Sequence, residues 1–103
     1  MSFGLSNDII TRIHSVFRKY PEIENVTLYG SRAKGNYKPY SDIDLTFEGK
    51  NLSLNLIHQI AVDLDDLLLP YFFDLSIKEK INNPNLLDHI KRVGMEFYSL
   101  KSS

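Results

Sequence analysis

The chain has no cysteine. Disulfides, thiolate metal centres and a cysteine nucleophile are therefore excluded. It has no excess charge of one sign: 12 basic residues stand against 13 acidic ones, for a net charge of −1 and a pI of about 6.3. Nothing in that balance points to nucleic acid, although a local basic patch stays open. No apolar run approaches the roughly 20 residues of a membrane span. A basic region followed by an apolar stretch is missing at the start, so no signal peptide is expected. Internal repeats, low-complexity tracts and linkers are absent too. What is present is a chain of 103 residues, 43 % hydrophobic. That suits one folded domain over residues 1–103 with a modest core, expected in the cytoplasm.

The hydrophobic periodicity predicts a compact set of elements. Ser6 can cap a first helix, in which Ile9, Ile10, Ile13, Val16 and Phe17 recur at helical spacing until about Tyr20, before Pro21. Val26–Tyr29 reads as a short strand ending at Gly30-Ser31, and residues 32–40 as a loop with room for one helical turn. Ser41–Phe47 reads as a second strand, with Ile43, Leu45 and Phe47 on one face and Asp42, Asp44 and Thr46 on the other. A second helix spans about Ser53–Leu68 and is closed by Pro70. Tyr71–Ile77 is a third strand with Asp74 in its middle. Asn83 and Pro84 open a last helix that Gly94 stops, and Met95–Leu100 gives no clear signal. The order predicts an α/β (α+β) fold with about three strands flanked by helices. The loop between the first two strands is too short for a crossover helix, so a mixed sheet is expected.

The chemistry concentrates between residues 29 and 48, with one addition downstream. Asp42 and Asp44, two apart, project from one strand face and repel each other unless a cation lies between them. Mg²⁺ is the natural choice, because it is hard and binds carboxylates together with substrate phosphates. Asp74 would be costly to bury alone. Brought beside the pair, it serves as a metal ligand or as a base toward an incoming hydroxyl. Upstream, Gly30 allows close approach of the backbone, Ser31 adds a donor, and Arg32 and Lys34 carry charge that matches phosphate. Neither a Walker A loop nor a Gly-x-Gly-x-x-Gly fingerprint is present. His14, His58 and His89 lie far apart on helices and read as structural. Asp63, Asp65 and Asp66 read as a solvated face, with a docking patch for a basic partner as the alternative. Tyr37 or Tyr40 can stack on a base, although loop and core packing explain them as well.

Gly30-Ser31-Arg32-Ala33-Lys34-Gly35 followed by Ser41-Asp42-Ile43-Asp44-Leu45 resembles the signature of the DNA polymerase β-like nucleotidyltransferase superfamily. In length it is most similar to the minimal nucleotidyltransferase (MNT) domains. The resemblance implies that Gly30 and Ser31 hold a nucleoside triphosphate, with Arg32 and Lys34 in support. It implies that Asp42, Asp44 and Asp74 are the catalytic carboxylates and ligate Mg²⁺, with two ions expected. Lys34 stands where many members carry Arg. The implied reaction transfers AMP from ATP to a hydroxyl. The implied partner is a HEPN-domain toxin bearing a tyrosine acceptor, this chain being its antitoxin. A non-catalytic antitoxin, or a subunit of an antibiotic nucleotidyltransferase, are the alternatives, and a homo-oligomer stays open.

Overall fold

The computed structural model describes residues 2–102 of the chain. Helix α1 (Asn7–Phe17) starts where the Ser6 hydroxyl accepts from the Ile9 amide, and it buries Ile13, Val16 and Phe17. It is shorter than its periodicity predicts. After Phe17 the chain tightens into i→i+3 bonds, Lys19 N–H to Val16 O and Tyr20 N–H to Phe17 O. Strand β1 (Asn25–Tyr29) leads into the single-turn helix α2 (Ser31–Lys34). Strand β2 spans Ile43–Glu48. Helix α3 (Leu54–Asp65) is capped by Ser53 and gives way to the same tighter bonds at Leu67 and Leu68. The acids expected at its end disfavour further helix, because its last carbonyls are already negative.

Strand β3 (Phe73–Ile77) is followed by a 3₁₀ turn at Lys78–Lys80 and by helix α4 (Pro84–Val93). The Asn83 side chain accepts from the Asn85 and Leu86 amides. A fourth strand, β4 (Met95–Ser99), corrects the expected count of three. The sheet order is β3-β2-β1-β4. β1 is antiparallel to both neighbours, whereas β2 and β3 run parallel, so the sheet is mixed. Among the described residues, no helix is long and apolar enough to cross a membrane.

The two faces of the sheet differ in chemistry. One carries Val26, Leu28, Ile43, Leu45 and Phe47, packed against Ile13, Val16 and Phe17 of α1 and Ile60 and Leu64 of α3. Phe17 sits at its centre, edge-on to Phe47 and to Tyr98 at 5.4 Å in each case. The other face carries the Thr27–Thr46–Ser76 row and the Tyr29–Asp44–Asp74 row. Helix α4 lies against β1 on this polar face. Gly94 permits the contact: a Cβ there would overlap the Ile90 carbonyl oxygen and come within 2.9 Å of Thr27 Cγ2. Its backbone is extended (φ −60°, ψ 142°), so close packing rather than a left-handed cap selects glycine. Gly94→Ala is expected to cost about 1–3 kcal/mol by overpacking, read as a lower urea midpoint with an unchanged slope.

Candidate active site

The topology assembles the site from three strand ends. Because β1 and β2 are antiparallel, the last residue of β1, Tyr29, lies opposite Asp44 near the start of β2. Because β2 and β3 are parallel and in register, Asp44 lies opposite Asp74. Asp42 lies just before β2 rather than within it, a correction to the expected strand start, and it is exposed. The Ile43 amide bonds the Phe72 carbonyl at 2.9 Å, which brings the segment before β3 alongside. Asp44 is half-buried and Asp74 is exposed.

Gly30 is in a left-handed conformation, φ 76° and ψ −156°, which disfavours any side chain. A Cβ on Gly30 would overlap Oδ2 of Asp44. The glycine therefore lets the turn close down on the carboxylate. Immediately after it, α2 begins: the Gly30 carbonyl accepts from the Lys34 amide at 3.1 Å. The amides of Ser31, Arg32 and Ala33 have no partner within so short a helix. Lys34 is exposed beside them.

Arg32 takes a different place from the one its sequence position predicts. It is only 2 % exposed. Its Nη1 donates to the Phe3 carbonyl at 2.9 Å, its Nε and Nη2 donate to the Ser41 carbonyl at 3.1 and 2.9 Å, and Nη2 also donates to Pro39 O at 3.3 Å. The Tyr37 and Tyr71 rings lie 5.4 and 5.0 Å from its guanidinium carbon. The cation is thus committed to carbonyls and aromatic faces, and it ties the Gly30-Ser31 turn to the residues that enter β2. Tyr37 belongs to that cage, whereas Tyr40 is 77 % exposed. Arg32→Met strands these carbonyls and is expected to cost about 2–4 kcal/mol without any ligand. A variant that melts like wild type and only binds nucleotide less well would return Arg32 to the phosphates.

The electrostatics are those of an unneutralised acidic site. Burial, followed by repulsion from Asp74 and Asp42, pushes the Asp44 carboxyl up to about 6. Among the described residues, no three acidic or histidine side chains are already gathered as a metal cage. The carboxylates of Asp42, Asp44 and Asp74 still offer an oxygen-only donor set, which would suit a hard cation completing its shell with phosphate oxygens. The sign for stability follows. The folded carboxyl binds its proton more tightly than the unfolded one. Stability therefore rises as pH falls from about 7 through 6 toward 4, and is lost as pH rises through the same window. Asp44→Asn is expected to stabilise the ligand-free protein at pH 7 by roughly 1 kcal/mol after solvent screening, or about 4–8 °C in Tm, and to abolish any further rise on adding Mg²⁺.

The three histidines take separate places in the fold. His14 Nε2 and the Phe97 carbonyl are 2.7 Å apart, a structural role. His58 lines a shallow cavity of about 300 Å³ with Tyr20 and Val62. Asp63 in the same cavity accepts from the Tyr20 hydroxyl, so it is not simply a solvated acid. His89 touches the Gly30-Ser31 turn: the Gly30 amide donates to its Nε2 at 3.1 Å. No spacing in the sequence links residues 30 and 89.

The family model described as "Polymerase beta, Nucleotidyltransferase" matches residues 11–103. No curated protein matches the chain. Among solved structures, a toxin–antitoxin complex with AMP-PNP superposes with a TM-score of 0.71 at 20 % identity, over 90 % of this chain and 75 % of that one. A MntA–HepT toxin–antitoxin gives 0.66 at 17 % identity, over 94 % and 75 %. The tri-AMPylated Shewanella oneidensis HEPN toxin in complex with its MNT antitoxin gives 0.68 at 17 % identity, over 95 % and 76 %. With a family match over most of its length and the fold of the minimal nucleotidyltransferases, the chain belongs to the polymerase β nucleotidyltransferase family.

Proposed function

We propose that this chain is a Mg²⁺-dependent adenylyltransferase that moves AMP from ATP to a tyrosine hydroxyl of a HEPN-domain toxin, and so acts as its antitoxin. The observation that carries this reading is the juxtaposition of Asp44 with Asp74 across β2 and β3, with the Gly30 turn pressed onto Asp44. The similar structures support the direction, since one holds AMP-PNP and another an AMPylated HEPN toxin.

In this reading the amides after Gly30, the Ser31 hydroxyl and Lys34 hold the triphosphate. Asp42, Asp44 and Asp74 hold the cation, which when bound neutralises phosphate charge and polarises the α-phosphate. Asp74 is exposed and reachable from solvent. It orients the acceptor hydroxyl and takes its proton. The hydroxyl oxygen then bonds to the α-phosphorus in line, the bond from that phosphorus to the bridging oxygen breaks, and pyrophosphate leaves. Arg32 contributes by holding the turn and the entry to β2 in fixed relation.

The test is an intact-mass spectrum of a HEPN-domain partner from the same genome, after incubation with this chain, ATP and Mg²⁺. Wild type is expected to add AMP. Asp42→Asn is expected to fold normally and to transfer at least about 10²-fold more slowly. Equal transfer by the folded variant would remove Asp42 from the site. A stable complex with no added mass would replace catalysis by silencing through binding alone.

A further inference from the structure

Helix α4 sends one side chain into the nucleotide turn. His89 is half-buried on the polar face of the sheet. Its ring meets Tyr29 edge-on, with centroids 6.1 Å apart and planes at 79°. Its Nε2 lies 3.1 Å from the Gly30 amide nitrogen. A backbone amide can only donate. Nε2 is therefore the acceptor, and the neutral imidazole carries its proton on Nδ1.

Gly30 is the residue whose conformation the turn depends on. Glycine reaches a φ of 76° about as readily as a negative value, so local preference alone does not single this conformation out. Two hydrogen bonds fix the residue from opposite ends. Its carbonyl accepts from the Lys34 amide at 3.1 Å, and its amide donates to His89. The first bond is local. The second reaches 59 residues along the chain. It anchors the turn to α4, whose own approach to β1 depends on Gly94. Tyr29, immediately before Gly30, is buried beneath the same imidazole.

We infer that His89 is a positioning residue: by accepting from Gly30 it sets the orientation of the Gly30-Ser31 turn against Asp44 before nucleotide arrives. What the turn holds rests on the nucleotidyltransferase reading above, but the restraint itself does not. Preorganisation of this kind lowers the cost of ordering a loop at the moment of binding. It acts on nucleotide affinity more than on folding, because His89 contributes little to the main core.

The measurement compares wild type, His89→Met and His89→Gln. Methionine fills the space without a comparable acceptor. Glutamine can present a carbonyl oxygen near the position of Nε2. Hydrogen exchange at the Gly30 amide, followed by NMR without ligand, is expected to speed up roughly tenfold in His89→Met and to return to within about twofold in His89→Gln. Affinity for a fluorescent ATP analogue with Mg²⁺ is expected to follow the same order, with roughly tenfold loss and then recovery. Unchanged exchange in His89→Met, or equal loss in both variants, would overturn the inference. Altered exchange with unchanged nucleotide affinity would overturn its functional half. A wild type that binds no Mg-ATP would sink the nucleotidyltransferase reading, while the Gly30 amide would still decide whether His89 holds the turn.

Discussion

The buried guanidinium of Arg32 is the interaction on which the site depends. Two stretches of chain must meet there: the turn at Gly30 and the entry into β2 at Asp42. They are joined by a loop with little regular structure. A loop of that length samples many conformations, and its closure has to be stabilised by something specific. Arg32 reaches from α2 to the carbonyls of Pro39 and Ser41 and to that of Phe3. One planar cation thereby fixes the return of the loop, the N-terminal segment and the entry into β2. A lysine could not do this, because a single ammonium on a flexible stem lacks the fork. The tyrosine faces on Tyr37 and Tyr71 give the cation a partly apolar seat, which offsets some of its loss of water.

That rigidity is set against a local cost. Asp44 stands half-buried opposite Asp74 and two residues from Asp42, with its proton affinity raised by all three circumstances. The fold holds negative charges together that would otherwise separate. Protonation of Asp44 relieves that repulsion, which is one reason its carboxyl is pushed up to about 6. The main hydrophobic cluster packs on the other face of the sheet. Apolar packing of α1 and α3 supplies the stability that lets the polar face remain unfavourable.

Much of this was legible in the sequence. Alternation along residues 43–47 separated core from site, and Gly-Ser upstream of Asp-x-Asp marked the turn and the carboxylates. The expected caps Ser6 and Asn83 act as such, and Ser53, read as the first residue of its helix, is its cap. What was illegible depended on tertiary pairing. β4 escaped because a register irregularity opposite Val26 and Thr27 puts the consecutive residues Phe97 and Tyr98 both into the core, which breaks the period of two. Arg32 looked like a phosphate ligand because it sits in a Gly-Ser turn beside Lys34. Its carbonyl partners carry no sequence signal, since every residue has one. His89 was hidden for a similar reason: its partner is a backbone amide on a distant element.

Strand direction then explains how so few elements bring the Gly30 turn and the carboxylates together. An antiparallel β1–β2 pair places the end of one strand beside the beginning of the next, so the turn and the first two carboxylates can come from one short stretch. A parallel β2–β3 pair places two strand beginnings side by side, so the third carboxylate arrives at the same edge of the sheet once α3 has crossed over. A wholly parallel sheet would send Gly30 to the opposite edge from Asp44. A wholly antiparallel one would do the same to Asp74. The mixed sheet is therefore the arrangement that brings all three strand ends together, and α4, returning over the polar face, is left to steady the turn they share.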